Sequence, residues 1–464
     1  MFAVSSFRGR VRRGEGRPIW LTVLVVTALT LTLASCSDDA PEGQAAGEPP
    51  ATASAAPSAA PSAEPPPAEP PPVARDWPRW GFTHTQHSAD NETDDVTEGV
   101  TRVLGQTPML QNQHIMGFGV GNPEPSPGEY DWRSLDERMT VIDRSGGLPV
   151  ITLCCAPDWM KGGRPGETDW NRLTDAPEPE HYDDFANLAA EVAKRYPHVR
   201  YYMVWNEFKG FYNDEEQRPD AEGYTELYNK VYAALKAVNP DIQVGGPYIP
   251  VNSHEGGSDG RIQGPWGVVD GRTLDAIEYW MENKAGADFI VVDGASVTEE
   301  HTLQPDEFGA LAKFDAVTRW LRQKSDNLPV WWAEWYIAPE DARWEEPHRL
   351  AVQAVSMMEF ARSGAATALY WSPQQQDGDC PGCLWRPREA TPLPTYELLG
   401  NFVRYFPAGV ELEQVTSSHP AIRVLAQKER MIMVNTSNEA VVAEVDGKSR
   451  RFQPYEIVWS ERTT

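Results

Sequence analysis

Cysteine, histidine and positive charge are all scarce in this 464-residue chain. The 41 Lys and Arg face 68 Asp and Glu, giving a formal charge of −27. Residues 1–35 hold five Arg and one Glu, so removing their net +4 leaves −31 on the remainder. Such a surface keeps a domain soluble and repels phosphate backbones, which argues against nucleic acid as a partner. Metal ligands are few as well. Cys380-Pro-Gly-Cys383 is a lone CxxC with no histidine pair nearby, and His84, His87 and His114 lack metal-ligand spacing, so no metal is expected. Outside the cell Cys154, Cys155, Cys380 and Cys383 are free to pair, and the last two could close a small loop. A glycine fingerprint for dinucleotides is missing, since Gly245-Gly246-Pro247 is not GxGxxG, and no cofactor is expected.

The apolar run Ile19 to Leu33 is also short of the ~20 residues that make a stable membrane span. Five arginines, Arg8 to Arg17, precede it, and the combination reads as a signal sequence over 1–35. Its end, Leu33-Ala34-Ser35-Cys36, resembles a bacterial lipobox. That resemblance implies lipidation of Cys36 and anchoring at the extracellular face of the cell membrane; plain secretion with an incidental cysteine is the alternative. Residues 36–76 are rich in Pro and Ala, as in Glu64-Pro65-Pro66-Pro67, and have no apolar face. They read as an extended tether.

From Trp77 the pattern changes to extended apolar segments alternating with amphipathic helices, as in parallel β/α folds. Strands are expected at 80–85, 114–120, 149–154, 200–205, 241–245, 288–292, 328–333 and 366–371. Helices are expected at 95–104, 134–145, 182–195, 223–238, 274–283, 305–323, 346–363 and 396–405. Eight of each predict an α/β fold, a (β/α)8 TIM barrel over 77–405. Beyond Phe406 short strands at 410–415, 422–426, 431–434, 441–445 and 456–459 predict a small C-terminal β domain over 406–464. Its short length and few surface aromatics favour a structural partner of the barrel over a carbohydrate-binding module.

Two strands end in a way that packing does not explain. Tyr201-Tyr202-Met203-Val204-Trp205 runs into Asn206-Glu207, and Val330-Trp331-Trp332-Ala333 into Glu334-Trp335-Tyr336. An unpaired buried amide or carboxylate costs several kcal/mol, so these groups are expected at the barrel mouth, where catalytic side chains gather. Strands 4 and 7 lie across the barrel from one another, and their carboxylates can converge on one bound group. Paired carboxylates are what retaining glycoside hydrolysis needs: one attacks the anomeric carbon and the other protonates the leaving oxygen.

Trp205-Asn206-Glu207 and Trp332-Ala333-Glu334-Trp335 resemble the clan A glycoside hydrolases, and within them family 39. Further likeness lies in Tyr130-x-Trp132-x-x-Leu135-Asp136, in Pro149 to Leu153 followed by Pro157-x-Trp159, and in Val244-Gly245-Gly246-Pro247. The resemblance implies Glu207 as acid/base, Glu334 as nucleophile, Asn206 on the hydroxyl beside the anomeric carbon, and Trp371 as a subsite wall. It implies an oligosaccharide or polysaccharide substrate, a β-xyloside for a first trial, with arabinose- or galactose-containing envelope glycans as alternatives. A surface protein that binds glycans without cutting them is a further alternative.

The sequence departs from the family after Asp288-Phe289-Ile290, where relatives often carry histidine or an aromatic and this chain has Asp293-Gly294. Asp293 binds sugar hydroxyls or is a turn residue. Trp159, Tyr248 and Tyr336 sit in or beside predicted βα loops, where rings stack on sugar faces or simply pack. His84 either binds the sugar or stabilises strand 1. Lys209, next to the acid/base candidate, either raises anion preference or adjusts protonation there, or, as a lysine on a loop leading to a helix, is solvated; it is left out of catalysis.

Overall fold

A computed structural model describes residues 79–88, 94–257, 259–339, 342–374, 382–386 and 389–462. The expected signal segment, Cys36, the tether and Cys380 lie outside the described residues. No helix among the described residues is long and apolar enough to cross a membrane.

Eight parallel strands close into one barrel: β1 (Trp80–Thr83), β2 (Leu110–His114), β3 (Leu148–Leu153), β4 (Tyr201–Val204), β5 (Gln243–Pro250), β6 (Phe289–Ala295), β7 (Val330–Tyr336) and β8 (Thr367–Tyr370). Each is hydrogen-bonded to its sequence neighbours, and β8 closes on β1. The helices that follow them are α1 (Asp94–Leu104), α2 (Arg133–Arg144), α3 (Tyr182–Arg195), α4 (Ala221–Val238), α5 (Gly271–Asn283), α6 (Ala312–Lys324), α7 (Glu346–Ser363) and α8 (Pro394–Tyr405). This is the (β/α)8 architecture that the alternation predicts. Side chains alternate along each strand, so one set fills the barrel and the other meets the helices. Tyr201, Met203, Phe289, Val291 and Trp331 pack together in one cluster, whereas Ile290, Val292 and Trp332 join the core beneath the helices.

One strand is displaced from its expected place. The sequence reading puts strand 2 at 114–120, attracted by apolar Ile115 and Met116; the strand is Leu110-Gln111-Asn112-Gln113-His114. Its polar side chains are fully buried, and Gln111 and Asn112 are hydrogen-bonded to residues of the neighbouring strands or their ends. Gln111 Oε1 meets His84 Nε2 at 3.0 Å, Asn112 Nδ2 donates to Thr83 Oγ1 at 3.0 Å, and Thr152 Oγ1 donates to Asn112 Oδ1 at 2.8 Å. The apolar segment is instead a tight turn, with Gly117, Phe118 and Gly119 at φ of 73°, 50° and 96°. Helix α6 also starts at Ala312, later than the expected 305.

After α8 the chain forms a four-stranded antiparallel sheet and a hairpin. The sheet contains β9 (Leu412–Glu413), β10 (Ile422–Gln427), β11 (Arg430–Asn435) and β14 (Ile457–Glu461), and the hairpin pairs β12 (Val441–Val445) with β13 (Lys448–Phe452). The sequence reading has no counterpart of β13, whose Lys-Ser-Arg-Arg-Phe shows no alternation. The Asp446-Gly447 pair, with φ of 50° and 73°, is the hairpin signal that marks it. The sheet packs on α7 and α8: Trp459 meets Phe402 and Tyr405 at 5.5 and 5.6 Å between ring centroids, and Tyr455 stacks on His348 at 4.1 Å.

Candidate active site

The site forms where regular strand geometry is broken. On the two sides of β6 the register slips by one residue. Val291 pairs with Pro247 but Val292 with Ile249, so Tyr248 is an extra residue in β5. Val292 pairs with Trp332 but Asp293 with Glu334, so Ala333 is an extra residue in β7. Strict alternation from Trp331, which faces the barrel interior, would send Glu334 towards the helices. The bulge turns it inward beside Asp293, a common use of bulges next to active sites. Trp335 is the residue that faces outward, edge-on to Phe360 of α7 at 5.6 Å.

These shifts bring together residues from three strands. Tyr248 Oη donates to Glu334 Oε1 at 2.8 Å, and Tyr336 Oη donates to Glu334 Oε2. Glu334 is 3% exposed. Burial, followed by the charge of Glu207, pushes its carboxyl up to about 7, while Lys209 and the two tyrosine hydroxyls pull it back. Burial, with Glu334 as the leading charge nearby, raises both phenols well above the usual range, so both act as neutral donors.

Glu207 enters from the opposite side on the turn after β4. Trp205, Glu207 and Phe208 have φ of 69°, 51° and 52°, left-handed backbone that costs a bulky residue about 1–3 kcal/mol and persists where surroundings fix it. The surroundings here are specific. Trp205 Nε1 donates to Lys209 O at 2.6 Å, its ring meets Phe185 and Phe211 at 5.5 Å, and Tyr224 Oη donates to Val204 O at 2.9 Å. The Lys209 ammonium forms an ion pair with Glu207 Oε2. Lys209, left out of catalysis in the sequence reading, is therefore part of the site, as the alternative drawn from its position beside Glu207 has it.

Asp293 lies in strand β6 rather than in a turn and is 2% exposed. Its carboxyl hydrogen-bonds Glu207 and is raised well above the usual carboxylate range, by burial first and then by the charges of Glu207 and Glu334. Asn206 is buried, with Oδ1 3.4 Å from His114 Nε2. Burial holds both His84 and His114 down to about 3, so both rings are neutral. Thus Glu207, Glu334, Asp293, Tyr248, Tyr336 and Lys209 form one interacting group, with Asn206 beside it.

The remaining residues of the sequence reading are placed differently. His84 is buried against Gln111. Trp159 is held by its indole N–H on Glu124 O at 2.9 Å and sits edge-on to His181. Trp371 follows the end of β8 and is half-buried. Cys154 and Cys155, just after β3, form a disulfide with each other, and Cys383 is also disulfide-bonded. Among the described residues one trio has ligand atoms close enough to share a cation, Glu178, Glu180 and His181. It lies in the β3–α3 connection, where His181 already pairs with Asp184.

Carboxyl groups from β4 and β7 converging at the mouth of a (β/α)8 barrel define a glycosidase-type site. A sequence profile described as Glycosyl hydrolases family 39 matches residues 125–358, half of the chain, including both glutamates. The chain belongs to this family and is a glycoside hydrolase acting on a sugar substrate. Among solved structures it is similar to a monomeric beta-xylosidase from Caulobacter crescentus CB15, at 16% identity and TM-score 0.53 over 78% of this chain and 74% of that one. It is also similar to a GH39 enzyme from Xanthomonas axonopodis pv. citri, at 18% identity and TM-score 0.52 over 79% and 73%. A glucosidase from Croceicoccus marinus gives 10% identity and TM-score 0.51 over 83% and 82%. At these identities the likeness is one of fold. No curated protein sequence matches the chain.

Proposed function

We propose that this protein is a retaining glycoside hydrolase with Glu334 as nucleophile and Glu207 as general acid/base, and that a β-xyloside is its first substrate to try. The observation that carries the reading is the unequal treatment of the two carboxyls. Glu334 accepts hydrogen bonds from two phenols, which orient its oxygens and favour the charged form that attacks. Glu207 sits on a separate strained turn with its side chain 19% exposed and its carboxyl paired to Lys209.

In the first step the Glu334 oxygen bonds to the anomeric carbon as the bond to the aglycone oxygen breaks, and that oxygen takes a proton from Glu207. In the second, Glu207 removes a proton from water, whose oxygen displaces Glu334. The working state therefore needs Glu334 charged and a proton available to Glu207.

Anomeric proton NMR on a panel of aryl glycosides tests the reading. A first product of retained configuration, lost in both Glu207→Gln and Glu334→Gln, is expected. An inverted first product would overturn the mechanism, and binding without turnover across the panel would favour a glycan-binding surface protein. Lipid anchoring through Cys36 is proposed on the sequence alone; labelled-lipid incorporation should fall to background in Cys36→Ala, and equal incorporation would contradict it.

A further inference from the structure

A hydrogen bond between two carboxyl groups requires that one of them carry a proton, and the Glu207–Asp293 contact is such a bond. The surroundings decide which. Lys209 places its ammonium on Glu207 Oε2, so negative charge is favoured there. Asp293 is 2% exposed, and no protein donor reaches its Oδ1. A charge at that position would be buried with only the Lys209 ammonium to offset it, and that ammonium is already paired to Glu207. The other groups facing Asp293 do not change this. Glu334 and Tyr336 come from β7, and Tyr248 comes from β5. The Lys313 ammonium from α6 is engaged by Ser253 Oγ at 3.0 Å and Ala295 O at 2.7 Å, and burial holds it down to about 7.

We propose that Asp293 stores the proton that Glu207 delivers: at rest it is a neutral acid donating to the Glu207 carboxylate, and the proton passes through Glu207 to the aglycone oxygen. The inference rests on the assignment of Glu207 as acid/base and deepens it. The step balances in charge. Before the first step the site holds two carboxylates, Glu334 and Glu207, and one ammonium, Lys209. As Glu334 becomes a neutral ester, the single proton passes from Asp293 to Glu207 and from Glu207 to the departing oxygen. Two carboxylates then remain, Glu207 and Asp293, so the net charge of the buried site is unchanged. In the second step water gives its hydroxyl to the anomeric carbon and its proton through Glu207 back to Asp293, and Glu334 leaves as carboxylate. Asp293 acts through Glu207 and is a positioning and proton-storing residue.

Asp293→Asn in the full chain is the discriminating variant, because its amide can still donate to Glu207 but has no proton to transfer. For an alkyl glycoside, whose leaving oxygen needs protonation, kcat/KM should fall about 100-fold or more, within the usual range of general acid catalysis. For a dinitrophenyl glycoside, which leaves as a stable anion, the loss should be under about 10-fold. The alkaline limb of the pH profile should move to lower pH, since the strongly raised Asp293 carboxyl is then gone. Equal losses for both leaving groups, or none, would overturn the proposal. Carbon-13 NMR of the carboxyl groups provides a check that needs no substrate. The signal that titrates highest should vanish in Asp293→Asn and shift to lower pH in Glu207→Gln; its persistence in Asp293→Asn would also overturn the proposal. Inverted products from the wild type, or normal turnover by Glu207→Gln, would instead overturn the parent assignment.

Discussion

Tyr248 and Tyr336 supply Glu334 with two donors in a place that otherwise resists its charge. Removing either should raise the Glu334 carboxyl further, because a hydrogen bond to a carboxylate favours the ionised form. Tyr248→Phe is therefore expected to move the acidic limb of kcat/KM to higher pH. It should lower kcat about 10- to 100-fold, since a hydrogen bond to a charged group contributes about 1.5–3 kcal/mol. A pH–rate series on wild type and variant checks both. The same burial has a stability consequence. The Glu334 pKa is raised in the folded state, from about 4.5 to about 7, so ionisation opposes folding. No penalty applies below about 4.5, and it grows to its full size above about 7. Glu334→Gln should consequently melt several degrees above wild type at pH 8 and at nearly the same temperature at pH 4. An equal or lower melting point at pH 8 would contradict the assigned environment.

The bulges in β5 and β7 explain why only part of the site is legible in the sequence. Glu207 and Glu334 stand out because each follows an aromatic strand that has no packing use for a carboxylate. The alternation of β/α elements follows from their hydrophobic patterns, and so does the count of eight. A one-residue register shift leaves no such mark: nothing in Pro247-Tyr248-Ile249 or Trp332-Ala333-Glu334 shows which residue is extra. Strand β2 is hidden for a different reason, since Gln111 and Asn112 are polar in composition but satisfied inside the barrel. Pattern reading assigns such residues to a loop. This polar layer also braces the bulge, because Thr83 Oγ1 donates to Ala333 O at 2.8 Å and accepts from Asn112. Thr83→Val should leave both groups unsatisfied. Chemical denaturation should show a loss of about 1–3 kcal/mol, accompanied by a fall in kcat as Glu334 loses its register. Unchanged kcat at reduced stability would separate the brace from the site.

The C-terminal sheet completes the core of the barrel's outer layer. Leu425, Ile432 and Val434 belong to the same buried cluster as the barrel helices, and Arg362 of α7 donates to Val424 O at 2.5 Å. Removing residues 406–464 should therefore give an aggregating or unfolded chain, as judged by circular dichroism and by hydrolysis of a small aryl glycoside. A detachable binding module would behave otherwise, leaving a folded barrel with full activity on that substrate. The division of labour between the two glutamates is the central claim for the molecule, and azide rescue tests it most directly. With an activated aryl glycoside that the wild type hydrolyses, Glu334→Gly plus azide should give a glycosyl azide of inverted configuration, because azide occupies the vacated nucleophile side. Glu207→Ala plus azide should give the retained product, because azide attacks the glycosyl ester on Glu334. Anomeric NMR reads both, and exchange of the two configurations would contradict the assignment.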